Sequence, residues 1–139
     1  MKRWIGMLLI LALLLTLLAV LCGSRSTEGE SADRSLIVIQ QPWNGWSEKQ
    51  PEPIVTRFEQ IKAGSVIYED TFGVITVKSV SGGKVRLSAQ NSSFVKPNRD
   101  GTINLNARQI RTLTIRRGKQ AELVSATMDC GVKLTILYR

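Results

Sequence analysis

The sequence predicts an all-β protein, namely a single small antiparallel β-sandwich that follows an N-terminal hydrophobic export or anchor helix. Beyond residue 34, short runs rich in Val, Ile, Leu and Thr are separated by Gly, Pro, Asn and Asp at intervals of about ten residues. No run in this part has the length and period of an amphipathic helix. Because 139 residues leave room for one domain, we assign 1–22 to a signal or anchor segment, 23–34 to a flexible tether and 35–139 to the sandwich.

The anchor prediction depends on an apolar run over residues 4–22 that only Gly6 and Thr16 interrupt. A run of about 18 to 20 apolar residues can cross a bilayer as a helix. Lys2 and Arg3 precede this run, and such charges keep an N-terminus in the cytoplasm. We therefore expect the domain at the cell membrane on the extracytoplasmic side or, as the alternative, secreted.

Residues 18–24, Leu-Ala-Val-Leu-Cys-Gly-Ser, resemble a bacterial lipoprotein signal. They depart from that pattern at Leu21, where Gly or Ala is normal. Three outcomes remain open for this segment: retention as an uncleaved anchor, cleavage after Cys22 or Ser24, and lipidation at Cys22. The adjoining residues, 23–34, are small or charged and cannot offset the entropy of ordering a chain.

About eight short strands are predicted within the domain, which favours two packed sheets over a closed barrel. We place them at 35–41, near Ile54, and at 72–80, 84–89, 103–105, 110–116, 122–125 and 132–138. The clearest pair is the hairpin whose turn, Ser81-Gly82-Gly83, supplies positive φ. The element near Ile54 is either a strand or a helix, because Ile54, Phe58 and Ile61 also fit one helical face.

The closing stretch 122–131, Glu-Leu-Val-Ser-Ala-Thr-Met-Asp-Cys-Gly, is followed by Leu134, Ile136 and Tyr138. It resembles the C-terminal strand pair of small uncharacterised β-sandwich domains in lipoproteins and membrane-anchored proteins of Gram-positive bacteria. The resemblance extends from Phe72 to the C-terminus. It implies a fold and an outer location, and it brings no activity to carry over.

Catalytic chemistry is not predicted. The chain contains no histidine, which removes the commonest general base and the commonest transition-metal ligand. Residues 98–103 resemble the middle of a calcium loop, but Lys96 and Ala107 occupy its end positions and cannot coordinate calcium, so a turn over 97–101 is expected. We predict a non-enzymatic protein with no catalytic residue, no metal and no cofactor.

Two groups of residues could form a binding surface. Trp43 and Trp46 flank a tight turn, where they would stack on sugar rings, enter a membrane interface, or fold back as a lid over an open end of the sandwich; we favour the lid. A basic cluster contains Arg108, Arg111, Arg116, Arg117 and Lys119. Charge on a solvated sheet edge explains this cluster, and so does a surface for anionic polymers or lipid headgroups.

Partners are predicted from charge and location. Without Lys2 and Arg3, 17 basic residues remain against 11 acidic ones, a net charge of +6. Outside the cytoplasm we expect no nucleic acid; the expected partners are the membrane through the N-terminal segment, an anionic envelope polymer, or another envelope protein docked on a sheet edge.

The second of the two cysteines, Cys130, has no disulfide partner if Cys22 is cleaved or lipidated. We expect Cys130 to be a small buried apolar residue. The alternative is a reactive thiol or an intermolecular disulfide.

Overall fold

Two antiparallel sheets form the part of the chain that the computed structural model describes, residues 34–139. Its strands are β1 Ser35–Asn44, β2 Ile54–Glu59, β3 Val66–Asp70, β4 Gly73–Ser81, β5 Lys84–Gln90, β6 Phe94–Val95, β7 Thr112–Arg116, β8 Lys119–Ser125 and β9 Cys130–Tyr138. One sheet has the order β2-β1-β9-β8-β6 and the other β3-β4-β5-β7. The prediction of an all-β fold with two antiparallel sheets is confirmed.

The segment for which we predicted an anchor, with the lipidation candidate Cys22, lies outside the described residues. Within residues 34–139, no helix is both long and apolar enough to cross a bilayer.

Alternation along the strands builds one apolar core shared by the two sheets, in a sandwich-like arrangement. The five-stranded sheet contributes Leu36, Val38, Leu123, Leu134 and Ile136 to this core, and the four-stranded sheet contributes Ile75, Val77, Val85, Leu87 and Ile115. Successive side chains of a strand point to opposite faces. When every second residue is buried in the core, the residues between them therefore point outward. Each fully buried aliphatic side chain contributes about 1.5–3 kcal/mol relative to an exposed one.

The longest ladder joins β1 to β9 and runs from Leu36 opposite Tyr138 to Asn44 opposite Cys130. Beyond it, Ser35 and Arg139 exchange backbone hydrogen bonds of 3.2 and 2.9 Å. The first and last residues of the domain therefore meet at one end of the sheet. The loop after β1 and the turn before β9 lie at the opposite end, about 30 Å away at 3.4 Å per residue.

Several element boundaries differ from the predictions. β1 continues through Pro42. Strand β2 pairs with β1 only as far as Gln40, so at Pro42 the described neighbour of β1 is β9 alone. A strand position that is unpaired on one side tolerates the missing N–H of proline. Residues 54–59 form a strand, so the helix alternative is wrong. The predicted strand 103–105 is irregular, while β3 and β6 were not predicted.

The predicted hairpin is present as β4 and β5. Gly82 and Gly83 adopt φ values of 55° and 68° in its turn. The register shifts between Val77 and Ser79, so a β-bulge interrupts β4 beside the same hairpin.

A glycine is required near the start of β9. A Cβ atom on Gly131 would lie 2.1 Å from Ser125 Oγ, 2.8 Å from Thr127 Oγ1 and 2.8 Å from Trp43 Cζ2. Trp43 lies opposite Gly131 in the ladder, and its indole covers the space that a side chain would fill. This contact ties β1 to the turn between β8 and β9.

We predict that Gly131→Ala lowers the free energy of unfolding by about 1–3 kcal/mol, because the added methyl group overpacks this site. Denaturant unfolding followed by circular dichroism measures the change. Gly45→Ala is the matched control, since its Cβ would meet Asp129 O at 3.4 Å, an ordinary contact; a change of less than about 0.5 kcal/mol is expected there. Equal losses in the two variants would contradict the proposed overlap.

Candidate functional site

Three cations lie together on the outer surface of the four-stranded sheet: Lys84 and Arg86 on β5 and Arg116 on β7, here called the basic face. Lys84 lies directly opposite Arg116 in the β5–β7 ladder. All three side chains are exposed. They alternate with the buried Val85 and Ile115, so packing of the core holds them on one surface.

No acidic side chain from the neighbouring strand opposes these cations. On β4, Ser79 pairs with Arg86 and Ser81 pairs with Lys84. Like charges directly opposite each other in a ladder are destabilising, so the Lys84–Arg116 pair costs the folded state some stability. Within the described part of the chain, the face is therefore positive without a facing carboxylate on β4.

Protection of a sheet edge explains only part of this charge. β7 is an edge strand, and a cation such as Arg116 discourages edge-to-edge pairing there. However, β5 lies between β4 and β7, so Lys84 and Arg86 are on an interior strand with no edge to protect. Their outward charge is therefore not explained by edge protection, although these positions face the solvated side of the sheet.

Two grooves flank the segment 109–111 beside this face. The first groove, with a volume of about 710 Å³, lies between that segment and residues 89–93. The second groove, of about 440 Å³, runs beside residues 112–114 of β7 and includes Lys96 and Arg108. Arg111 lines both grooves, and among residues 34–139 no acidic residue lines either of them.

Backbone hydrogen bonds fix the segment that separates these grooves. The Ile110 N–H donates to the Phe94 carbonyl at 2.8 Å, and the Ala89 N–H donates to the Arg111 carbonyl at 2.9 Å. Phe94 belongs to β6 of one sheet and Ala89 to β5 of the other. The segment therefore bridges the two sheets, and Arg111 is attached to an ordered support.

The five predicted basic residues do not form a single cluster. Arg116 belongs to the basic face, while Arg108 and Arg111 line the second groove. Arg117 is in the β7–β8 turn, where its N–H donates to the Gly83 carbonyl at 2.8 Å. Lys119 opens β8 and lines a separate groove of about 380 Å³ that Arg139 shares.

Sequence reasoning missed Lys84 and Arg86. The signal that could have found them is their alternation with Val85 and Leu87 in a strand that the sequence did predict. Alternation places both charges on the face opposite the core.

The two tryptophans belong to the five-stranded sheet and its loop, not to the basic face. Trp43 is half-buried against Gly131, and its indole N–H has no hydrogen-bond partner among the described residues. Trp46 is 76% exposed and therefore does not form part of a closed lid; Met128 is 79% exposed. A 2.7 Å hydrogen bond from the Gly45 N–H to Asp129 O joins their two loops.

The stretch that resembled a calcium loop is a turn, as predicted. Asp100 accepts hydrogen bonds from the Thr102 N–H at 3.0 Å and the Thr102 hydroxyl at 2.7 Å. The hydroxyl bond and then the backbone bond lower the pKa of Asp100. In the described part of the chain, no three Cys, Asp or Glu side chains are grouped to hold a metal ion.

The expected burial of Cys130 is wrong, because its side chain is exposed. Cys130 shares the parity of the buried Val132, but it is the first residue of β9. The alternation that buries Val132 does not extend to the strand end, which projects past the core. The Thr127 hydroxyl donates to the Cys130 carbonyl, so the backbone is fixed there while the thiol faces solvent.

We predict that the Cys130 thiol reacts with a thiol reagent in the folded protein within about tenfold of its rate after unfolding, since exposure controls access. The measurement uses a Cys22→Ser background, in which Cys130 is the one thiol that can be labelled. Cys130→Ser in that background should abolish labelling and change stability by less than about 0.5 kcal/mol. If the thiol were labelled only at the rate of unfolding, it would be protected in the folded protein and the prediction would be wrong.

Comparisons with protein-family models, curated proteins and solved structures found no significant match for this chain. The resemblance to Gram-positive lipoprotein domains stays a prediction.

Proposed function

We propose that this chain is a non-enzymatic, membrane-tethered module on the extracytoplasmic side of the cell envelope. In this proposal its domain is a β-sandwich that binds anionic polymer or anionic lipid surfaces. The observation that carries the binding role is the placement of Lys84 and Arg86 on an interior strand, beside Arg116 and without a facing carboxylate.

The chemistry of the basic face suits phosphate and carboxylate groups. A guanidinium group offers a planar fork of donors that matches either anion, and an ammonium group acts as a point charge. Neutralising a polyanion releases its condensed counterions, which makes such binding strongly salt-dependent. The destabilising Lys84–Arg116 juxtaposition is relieved when an anion binds between the two side chains.

The sequence before the domain supports the tether. Lys2 and Arg3, together with the apolar run 4–22, are typical of a segment that exports or anchors the rest of its chain. Residues 23–34 reach at most about 40 Å when extended, at 3.3–3.6 Å each. A tether of this reach lets the basic face meet either headgroups or a polymer close to the membrane; a secreted form is the alternative.

A second candidate function is docking on another envelope protein. Strand β2 is an edge of the five-stranded sheet, and Ile54 and Val55 on it are 54% and 63% exposed. An exposed apolar edge can accept a strand from a partner. Main-chain pairing of that kind depends little on salt, which distinguishes it from anion binding.

We predict that the full chain, purified in uncharged detergent, binds dextran sulfate with an affinity that falls steeply with salt and does not bind uncharged dextran. Replacing Lys84, Arg86 and Arg116 together by Gln should flatten the slope of log K against log salt by roughly 0.7 for each lost contact. Isothermal titration calorimetry at several salt concentrations measures both quantities.

The matched control replaces Lys49, Arg57 and Lys62 by Gln, which removes the same charge around β2 in the other sheet. Binding should be nearly unchanged. The triple variant of the basic face should be at least as stable as the native chain, because it removes a like-charge pair. Identical losses in both triple variants would mean that net charge alone, and not this face, binds the anion.

For location, we predict that the chain fractionates with membrane and that a C-terminal tag on it is cleaved by protease added outside intact cells. The Lys2-Arg3 pair orients the segment in this direction. Recovery in the cytosol, or a tag that is protected until cells are lysed, would contradict the topology and reopen nucleic acid as a partner.

A further inference from the structure

We infer that the basic face and the second groove form one continuous site for a linear anionic polymer rich in hydroxyl groups, an inference that rests on the proposed function. The site, here called the basic track, consists of Lys84, Arg86, Arg116, Lys96, Arg108 and Arg111. It deepens the proposal by choosing a polymer over a flat lipid surface.

Strand β7 makes the two parts continuous. Thr112 and Thr114 line the second groove. In the ladder, Thr114 also lies opposite Arg86, and Arg116 is the next outward residue along β7. A ligand that leaves the groove along this strand therefore passes directly onto the basic face.

The length of the track excludes a single small anion as its full occupant. Arg111 and Arg116 are five residues apart, with 112–116 extended as β7, which corresponds to about 17 Å at 3.4 Å per residue. One phosphate or carboxylate group can contact one end only. Anionic groups repeated along a chain can contact both ends at once, so affinity should rise with chain length.

The neutral groups around the track suit hydroxyl-bearing repeats. Among the described residues, strand β7 pairs with β5 alone, so within that part of the chain the backbone donors and acceptors on its other side are available to hydroxyl groups. The first groove, which shares Arg111 with the track, adds the amides of Gln90 and Gln109 and the hydroxyl of Ser92, which donates to the Ile110 carbonyl at 3.3 Å.

The placement of these cations on two differently oriented surfaces favours a chain over a membrane. Arg108 and Arg111 line a groove beside the sheet edge, and Lys84 and Arg86 lie on the outward surface of an interior strand. A flexible polymer can follow the groove onto that surface. A flat bilayer would contact the outward surface and leave the groove cations largely unneutralised.

The test titrates the full chain in uncharged detergent with polygalacturonate of defined lengths from the disaccharide upward, and with O-acetylated polygalacturonate, which keeps the charge spacing and blocks the hydroxyl groups. Long polygalacturonate should bind at least about tenfold tighter than a disaccharide. It should also stay bound at higher salt than the O-acetylated polymer of equal length, because hydroxyl contacts do not depend on counterion release. Equal salt resistance of the two polymers would overturn the requirement for hydroxyl groups.

Two variants locate the polymer. Arg108→Gln/Arg111→Gln removes the groove end, and Lys84→Gln/Arg116→Gln removes the other end; each should weaken long polygalacturonate about tenfold. Lys49→Gln/Lys62→Gln is the control and should have no effect. All six positions are exposed, and an unchanged melting temperature for each variant confirms that folding is intact.

The outcomes separate this inference from the proposed function. If the face variant weakens binding and the groove variant does not, the track is wrong while anion binding by the basic face stands. If nanodiscs with phosphatidylglycerol bind the chain and polygalacturonate does not, a lipid surface replaces the polymer. If neither polyanions nor nanodiscs with phosphatidylglycerol bind in low salt, both proposals fail together.

Discussion

The ladder between β1 and β9 is the constraint on which the five-stranded sheet depends. It joins the two ends of the domain, since Ser35 pairs with Arg139 beyond the last strand residues. It places β9 between β1 and β8, so β9 joins the β2–β1 pair to the β8–β6 pair. Its register also brings Trp43 onto Gly131, which fixes how the loops at the far end approach each other.

In the four-stranded sheet, the alternation of buried and exposed residues along the strands produces a charged surface. Val85, Leu87 and Ile115 are buried, so the residues that alternate with them along β5 and β7 lie on the outer face of the sheet. Cations held on strands in this way are better fixed than cations on loops. The segment 109–111, bonded to both sheets, extends this support to Arg111.

The elements that could be predicted from the sequence are those with local signals. The β4–β5 hairpin was predictable because alternation and Gly82-Gly83 are both local. β3 was not, because a bulge between Val66 and Tyr68 breaks its alternation, and β6 has only two residues. The basic cluster was grouped by closeness in sequence, whereas ladder pairing brings Lys84 to Arg116 and assigns Arg117 to a turn. The exposure of Cys130 is determined by its position at a strand end, although free cysteine is usually buried.

The pairing of the first strand with the last also sets when the domain can fold. Leu36 and Tyr138 are about a hundred residues apart in the chain, and such distant contacts close late and slowly. Until β9 is available, β1 and β8 both present unpaired edges that invite aggregation. If the chain is exported as we propose, this order of pairing means that the translocation channel receives an unfolded polypeptide. In that case a chaperone on the far side has most to protect until β9 has emerged and paired with β1.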